Sequence, residues 1–194
     1  MKSKKLCMPR SCTEGGQRGF TLIEVMISIV VLTIGLVGLL SVFGVAMAAT
    51  QASQQDMIAK QLANETVESI ATARDSGQIS WASIQNVSNG GIFLDAPLQA
   101  INQPGPDGII GTADDAPAEV LTRPGPSGLI TGASPPDVIV PLTNYQRTIT
   151  IAPATIGGVP VANLRTINVT IQYTVPSIST PKQYTLSSLI SQFR

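Results

Sequence analysis

Arg18-Gly19-Phe20-Thr21-Leu22-Ile23-Glu24-Val25-Met26 joins a basic start to a long apolar run. From Val25 to Ala49 no residue is charged. At about 1.5 Å rise per residue, a helix of that length exceeds the roughly 30 Å hydrocarbon core of a bilayer. Upstream, Lys2, Lys4, Lys5, Arg10 and Arg18 stand against Glu14 alone, and short basic flanks resist translocation, so this end is expected on the cytoplasmic side. Removing those residues from the twelve of each sign leaves 7 basic and 11 acidic residues. That balance gives no reason to expect one large basic face for nucleic acid.

Glu24 sits just inside the apolar run, where an unpaired carboxylate costs about 2.5 to 3.5 kcal/mol if it reaches the bilayer centre. One reading leaves it at headgroup depth. The other gives it a cationic partner. A secretory signal peptide cut near Ala46-Met47-Ala48 fits poorly, because Phe20 to Val45 is far longer than the usual h-region of about 7 to 15 residues. A lipidated Cys12 fits no better, since Met8-Pro9-Arg10-Ser11 precedes it where an apolar stretch is needed. Cys7 and Cys12 are the only cysteines, so the region after Phe20 is expected to hold no disulfide.

The nine residues Arg18 to Met26 resemble the leader junction of type IV prepilins and type II secretion pseudopilins. The resemblance implies a cleaved basic leader, residues 1–19, removed by a prepilin peptidase that cuts after Gly19 and N-methylates Phe20. The apolar helix is then retained. Cleavage also supplies the missing partner: the new Phe20 amine of a neighbouring subunit is cationic near neutral pH and neutralises Glu24, setting the axial register.

Residues 20–49 are read as the transmembrane and assembly half of one long helix, and 50–76 as its amphipathic half. Gly35, Gly38, Ser41 and Gly44 recur in three-residue steps, and small residues let helix backbones approach in lipid. Major pilins usually carry a proline here; this chain has none. Met57, Leu62, Ala63, Val67 and Ile70 are expected to pack on a globular domain, and Asp75-Ser76-Gly77 to end the helix near Arg74.

The exported domain is assigned to 77–194, with a Pro/Gly-rich middle (about 97–136) and a C-terminal antiparallel sheet (about 137–190). Ile167, Val169, Ile171, Tyr173 and Val175 alternate with polar residues over Thr166–Val175, the clearest strand pattern in the chain. Pro176 to Pro181 reads as a loop, and Gln183 to Leu189 as a return strand with Tyr184 and Leu186 inward. Tyr145–Ile151 and Asp137–Leu142 are further strand candidates. The predicted fold is α+β: a long N-terminal α-helix, its first half membrane-spanning, packed on a C-terminal antiparallel sheet in the pilin manner. The segments 168–173 and 184–190 are similar to PilV-like minor pilins and GspI-type minor pseudopilins.

The middle repeats Pro104-Gly105-Pro106-Asp107-Gly108-Ile109-Ile110 as Pro124-Gly125-Pro126-Ser127-Gly128-Leu129-Ile130, both read as tight turns. Asp107, Asp114 and Asp115 fall close together, a density of hard oxygen ligands that suits calcium, against a solvated acidic turn. The loop resembles calcium loops of major pseudopilins but lacks the acidic spacing of an EF-hand. Otherwise no cofactor is expected.

The sequence contains no histidine and no cysteine after Phe20, which removes the usual general base and thiol nucleophile and argues against an enzyme. The expected function is a minor pilin-like structural subunit of a type IV pilus that helps initiate or cap the filament. The alternatives are a minor pseudopilin of a type II secretion system and an uncleaved single-pass protein with an exported binding domain. Expected partners are the prepilin peptidase, other pilins or pseudopilins in a hetero-oligomeric filament, and an inner-membrane assembly platform. The chain would start in the bacterial inner membrane with its N-terminus cytoplasmic, then enter a pilus or pseudopilus.

Overall fold

The computed structural model describes residues 19–95, 97–123, 138–175 and 178–193. It divides into two compact units, Met1–Ala46 and Met47–Arg194. One helix, α1 (Leu22–Asp75), contributes to both.

α1 starts where Thr21 caps it. The Thr21 Oγ1 accepts the Glu24 backbone N–H at 3.3 Å, satisfying one of the donors a helix start leaves free. It ends as the sequence predicts. Gly77 takes φ 75°, the Gly77 N–H donates to the Arg74 carbonyl at 3.0 Å, and the Gln78 N–H donates to the Ala73 carbonyl at 3.0 Å. This crossed pair is a Schellman stop, and a residue with a Cβ would adopt that left-handed geometry only under strain.

In the first unit the helix buries nothing. Leu22, Ile34 and Val45 are 78, 68 and 73% exposed. Its hydroxyls are nevertheless satisfied: Ser28 donates to the Glu24 carbonyl at 2.7 Å, Thr33 to Val30 at 2.8 Å, and Ser41 to Val37 at 2.9 Å. Such internal bonding leaves those side chains compatible with a lipid environment.

In the second unit Ala59, Leu62, Ala63, Thr66, Ile70 and Ala73 form a buried stripe at three- and four-residue steps. Val67 packs at its margin, but Met57 is 65% exposed and lies off the stripe, contrary to expectation. At 100° per residue it turns away from the face set by Ala59 and Leu62. Ala59, Ala63 and Ala73 share one buried cluster with the inward side chains of the sheet described below.

Six strands follow: β1 (Gln99–Ala100), β2 (Val120–Arg123), β3 (Val138–Pro141), β4 (Tyr145–Ile156), β5 (Val159–Val175) and β6 (Ile178–Ser191). The main sheet is antiparallel in the order β1-β4-β5-β6. Ile167, Val169, Ile171, Tyr173 and Val175 are all buried, as the alternation requires. Burying each such aliphatic side chain contributes about 1.5 to 3 kcal/mol. Tyr184 and Leu186 of β6 also face the core.

Three expectations need correction. β3 does not join the main sheet; it pairs with β2 in a separate two-stranded ribbon. The expected loop through Pro181 is shorter, because β6 already begins at Ile178. Pro181 falls where the β5–β6 register shifts, on an edge strand, where its missing N–H removes no ladder bond of consequence. Finally, β4 and β5 run past the predicted strands to a two-residue connection, Gly157-Gly158, with φ 59° and 83°. Two consecutive positive φ values give the tight hairpin geometry that suits twisted strands.

Two arginines occupy inward positions. Arg165 donates through Nη1 to the Trp81 and Ile84 carbonyls and lies 4.4 Å from the Trp81 ring centroid. Arg147 is buried with Asp115, their charged groups 3.4 Å apart, and its Nη1 reaches Thr66 of α1 at 3.5 Å. The loop carrying Asp115 is thereby tied to the helix–sheet core.

Candidate functional site: the N-terminal junction and the assembly helix

Gly19 and Phe20 are exposed and non-helical, immediately ahead of the first turn of α1. A peptide bond in that state can be drawn extended into a peptidase, whereas one inside a helix must first be unwound. A Cβ at Gly19 would meet nothing within 4 Å, so nothing in the fold itself demands glycine there.

Glu24 is the acidic residue of the first turn of α1, where the helix dipole favours a negative charge by about 0.3 to 1 kcal/mol at an exposed site. Among the described residues its carboxylate has no salt-bridge partner. Thr21 is a residue that charge and hydropathy alone do not single out. Thr21-Leu22-Ile23-Glu24 has the spacing of a capping box ahead of an apolar run, which was the available signal.

Cβ atoms built at Gly35, Gly38 and Gly44 also meet nothing within 4 Å. At 100° per residue, Gly35 and Gly38 point about 60° apart, but Gly44 projects about 180° from Gly35. The three cannot line one contact. They suit a helix with neighbours on more than one side.

The acidic loop is organised by its own bonds. The first copy of the repeat forms a turn, with the Gly108 N–H donating to the Gly105 carbonyl at 2.9 Å. The second copy lies outside the described residues. Asp107 accepts the Ile109 N–H at 2.8 Å, Asp114 the Thr112 hydroxyl at 2.7 Å, and Asp115 the Gly111 N–H at 2.7 Å as well as Arg147. Burial pushes the Asp115 carboxyl above its ordinary range, against the Gly111 N–H and Arg147. Among the described residues no group of three or more His, Cys, Asp or Glu side chains is arranged to hold a metal ion.

A model of the family described as the prokaryotic N-terminal methylation motif matches residues 15–40. The match spans the junction, Glu24 and about five turns of the exposed helix. The match is consistent with the N-terminal region of type IV prepilin- and pseudopilin-type proteins. The motif implies processing by a prepilin peptidase and assembly with other pilins. No curated protein and no solved structure matches the chain. Among the described residues α1 is long and apolar enough to cross a membrane, which with the motif fits inner-membrane anchoring.

Proposed function

We propose that the chain is a minor pilin-like structural subunit of a type IV pilus, cut after Gly19, N-methylated at Phe20, and recruited to help initiate or cap the fibre. The observation that carries this reading is a continuous apolar helix with no cover of its own, headed by a lone carboxylate four residues after an exposed Gly19-Phe20 bond. Exposed apolar surface on that scale needs lipid or other helices around it. A subunit leaving the bilayer exchanges the first for the second, and the Phe20 amine of a neighbour neutralises Glu24 as water is lost. The lack of any cysteine after Phe20 favours a minor over a major subunit, because no C-terminal disulfide can form.

Co-expression with a prepilin peptidase tests the reading. The parent chain is expected to lose residues 1–19, while Gly19→Ala remains uncut with its fold unchanged, since the added methyl meets open space. Processing and assembly of Gly19→Ala at the parental level would remove the main support.

Calcium at the acidic loop is expected to be weak or absent. Asp115 is committed to Arg147, and a cation would have to displace that contact. Added calcium should therefore leave the melting temperature of the detergent-solubilised protein unchanged. A rise that Asp114→Ala abolishes would establish an ion site, because a ligand bound only by the folded state stabilises it by mass action.

A further inference from the structure

We propose that Thr21 is a positioning residue for leader removal: by capping α1 at Leu22 it keeps the Gly19–Phe20 peptide outside the helix, with the carbonyl to be attacked left free. The inference rests on the cleavage after Gly19 proposed above and adds a residue and a role that reading does not contain.

The first turn shows how the boundary is drawn. α1 begins at Leu22, and Gly19, Phe20 and Thr21 are exposed and non-helical. The Thr21 hydroxyl oxygen accepts the Glu24 N–H at 3.3 Å, and the Thr21 carbonyl accepts the N–H groups of Glu24 and Val25 at 3.1 and 3.2 Å. Thr21 therefore carries both marks of a cap: the first carbonyl of the helix ladder, and a side chain that closes on the third helical residue. Among the described residues the Gly19 carbonyl accepts no backbone hydrogen bond.

That carbonyl is where the chemistry falls. Hydrolysis adds water to the Gly19 carbonyl carbon, places negative charge on its oxygen, and breaks the bond to the Phe20 nitrogen, which takes a proton and leaves as the amine. Gly19 keeps the water oxygen as a carboxylate. An oxygen already bonded inside a helix is closed to the donors a peptidase aims at the developing charge.

A competing start lies two residues upstream. Glycine caps about as well as threonine, so without the Thr21 hydroxyl the boundary can pass to Gly19. A helix begun there takes Phe20 and residue 21 into its first turn and bonds the Gly19 carbonyl to the Ile23 N–H, four residues on. The peptide to be cut must then be unwound before each turnover. Within the chain no packing opposes the shift, because Phe20 and Leu22 are 82 and 78% exposed. The cap alone decides where α1 begins.

The test reconstitutes the full chain and its Thr21 variants with a prepilin peptidase in liposomes and follows initial rates of leader release over a range of substrate concentrations. Thr21→Ala and the near-isosteric Thr21→Val are expected to raise KM about three- to fivefold at nearly constant kcat. That factor is what about 1 kcal/mol of capping represents when only chains with an extended junction are competent. Thr21→Ser, Thr21→Asn and Thr21→Gly should stay within about twofold of the parent, since all three cap. Parental KM in both Thr21→Ala and Thr21→Val would overturn the role. A KM in Thr21→Gly or Thr21→Asn as high as in Thr21→Ala would overturn it as well, because the peptidase would then be reading the threonine itself. A parent chain that is cut while the whole Thr21 series stays flat sinks this role alone; a parent chain that keeps its leader sinks the cleavage reading beneath it.

Discussion

Glu24→Gln is expected to leave α1 and cleavage after Gly19 intact but to lower incorporation into filaments by about seventy- to four-hundredfold. Glutamine preserves shape and hydrogen-bonding capacity, and the Thr21 cap, which uses the residue-24 backbone N–H, persists. What is lost is the charge. An amine brought into a helix bundle without a counter-ion bears a desolvation cost on the scale of about 2.5 to 3.5 kcal/mol, and each 1.36 kcal/mol is a factor of ten. Immunoblotting of sheared filaments against the membrane fraction reads the effect. Parental incorporation of Glu24→Gln would mean that the carboxylate merely rests at headgroup depth.

The largest effect on the folded unit is expected at Arg147. Its Nη2 lies 3.4 Å from Asp115, with side-chain exposures of 3 and 7%, and Glu119 and Glu65 add negative potential around it. Arg147→Met removes the cation and leaves Asp115 buried without a counter-charge, a change that costs about 3 to 5 kcal/mol. For a domain of this size that lowers the melting temperature by roughly 10 °C, at about 2 to 4 °C per kcal/mol. Adding Asp115→Leu should recover much of the loss, because an apolar pair of similar volume is often no worse than a buried ion pair. The Arg147 Nε, buried and without a hydrogen-bond partner, points the same way: the pair is imperfectly satisfied already. Thermal melts followed by circular dichroism decide it, and a single variant as stable as the parent would show that water reaches the pair.

The contrast between these two sites explains what could be read from the sequence. Glu24 is conspicuous because a charge in an apolar run breaks the pattern, and the strand Thr166–Val175 is conspicuous because its alternation is unbroken. Arg147 breaks a pattern too, but in the opposite sense, standing at an inward position of β4 between Tyr145 and Ile149. Its partner is distant in sequence, so nothing local announces that the charge is compensated. Pro153 hides the far half of β4 for a similar reason, since a register shift between Pro153 and Ala154 accommodates a residue that alternation alone would exclude. Asp137–Leu142 could be read as a strand, but which sheet it joins depends on pairing with Val120–Arg123, a four-residue partner too short to signal itself. Thr66 joins the buried stripe of α1 because its hydroxyl bonds to the Leu62 carbonyl at 2.7 Å, which composition cannot reveal.

The acidic loop shows the converse. Asp107, Asp114 and Asp115 suggest an ion when counted along the chain, yet folding directs them to an amide, a hydroxyl and a guanidinium. Asp114 and Asp115 do converge, both accepting from the Thr112 hydroxyl, at 2.7 and 3.3 Å, and calcium, which needs six or more oxygens on one point, would compete with these bonds.

Intact-mass measurement of the chain isolated from membranes of cells carrying the assembly machinery bears most directly on the whole reading. A polypeptide beginning at Phe20 and heavier by one methyl group is the expected result. A polypeptide that begins at Met1 would leave Glu24 without the amine that explains it.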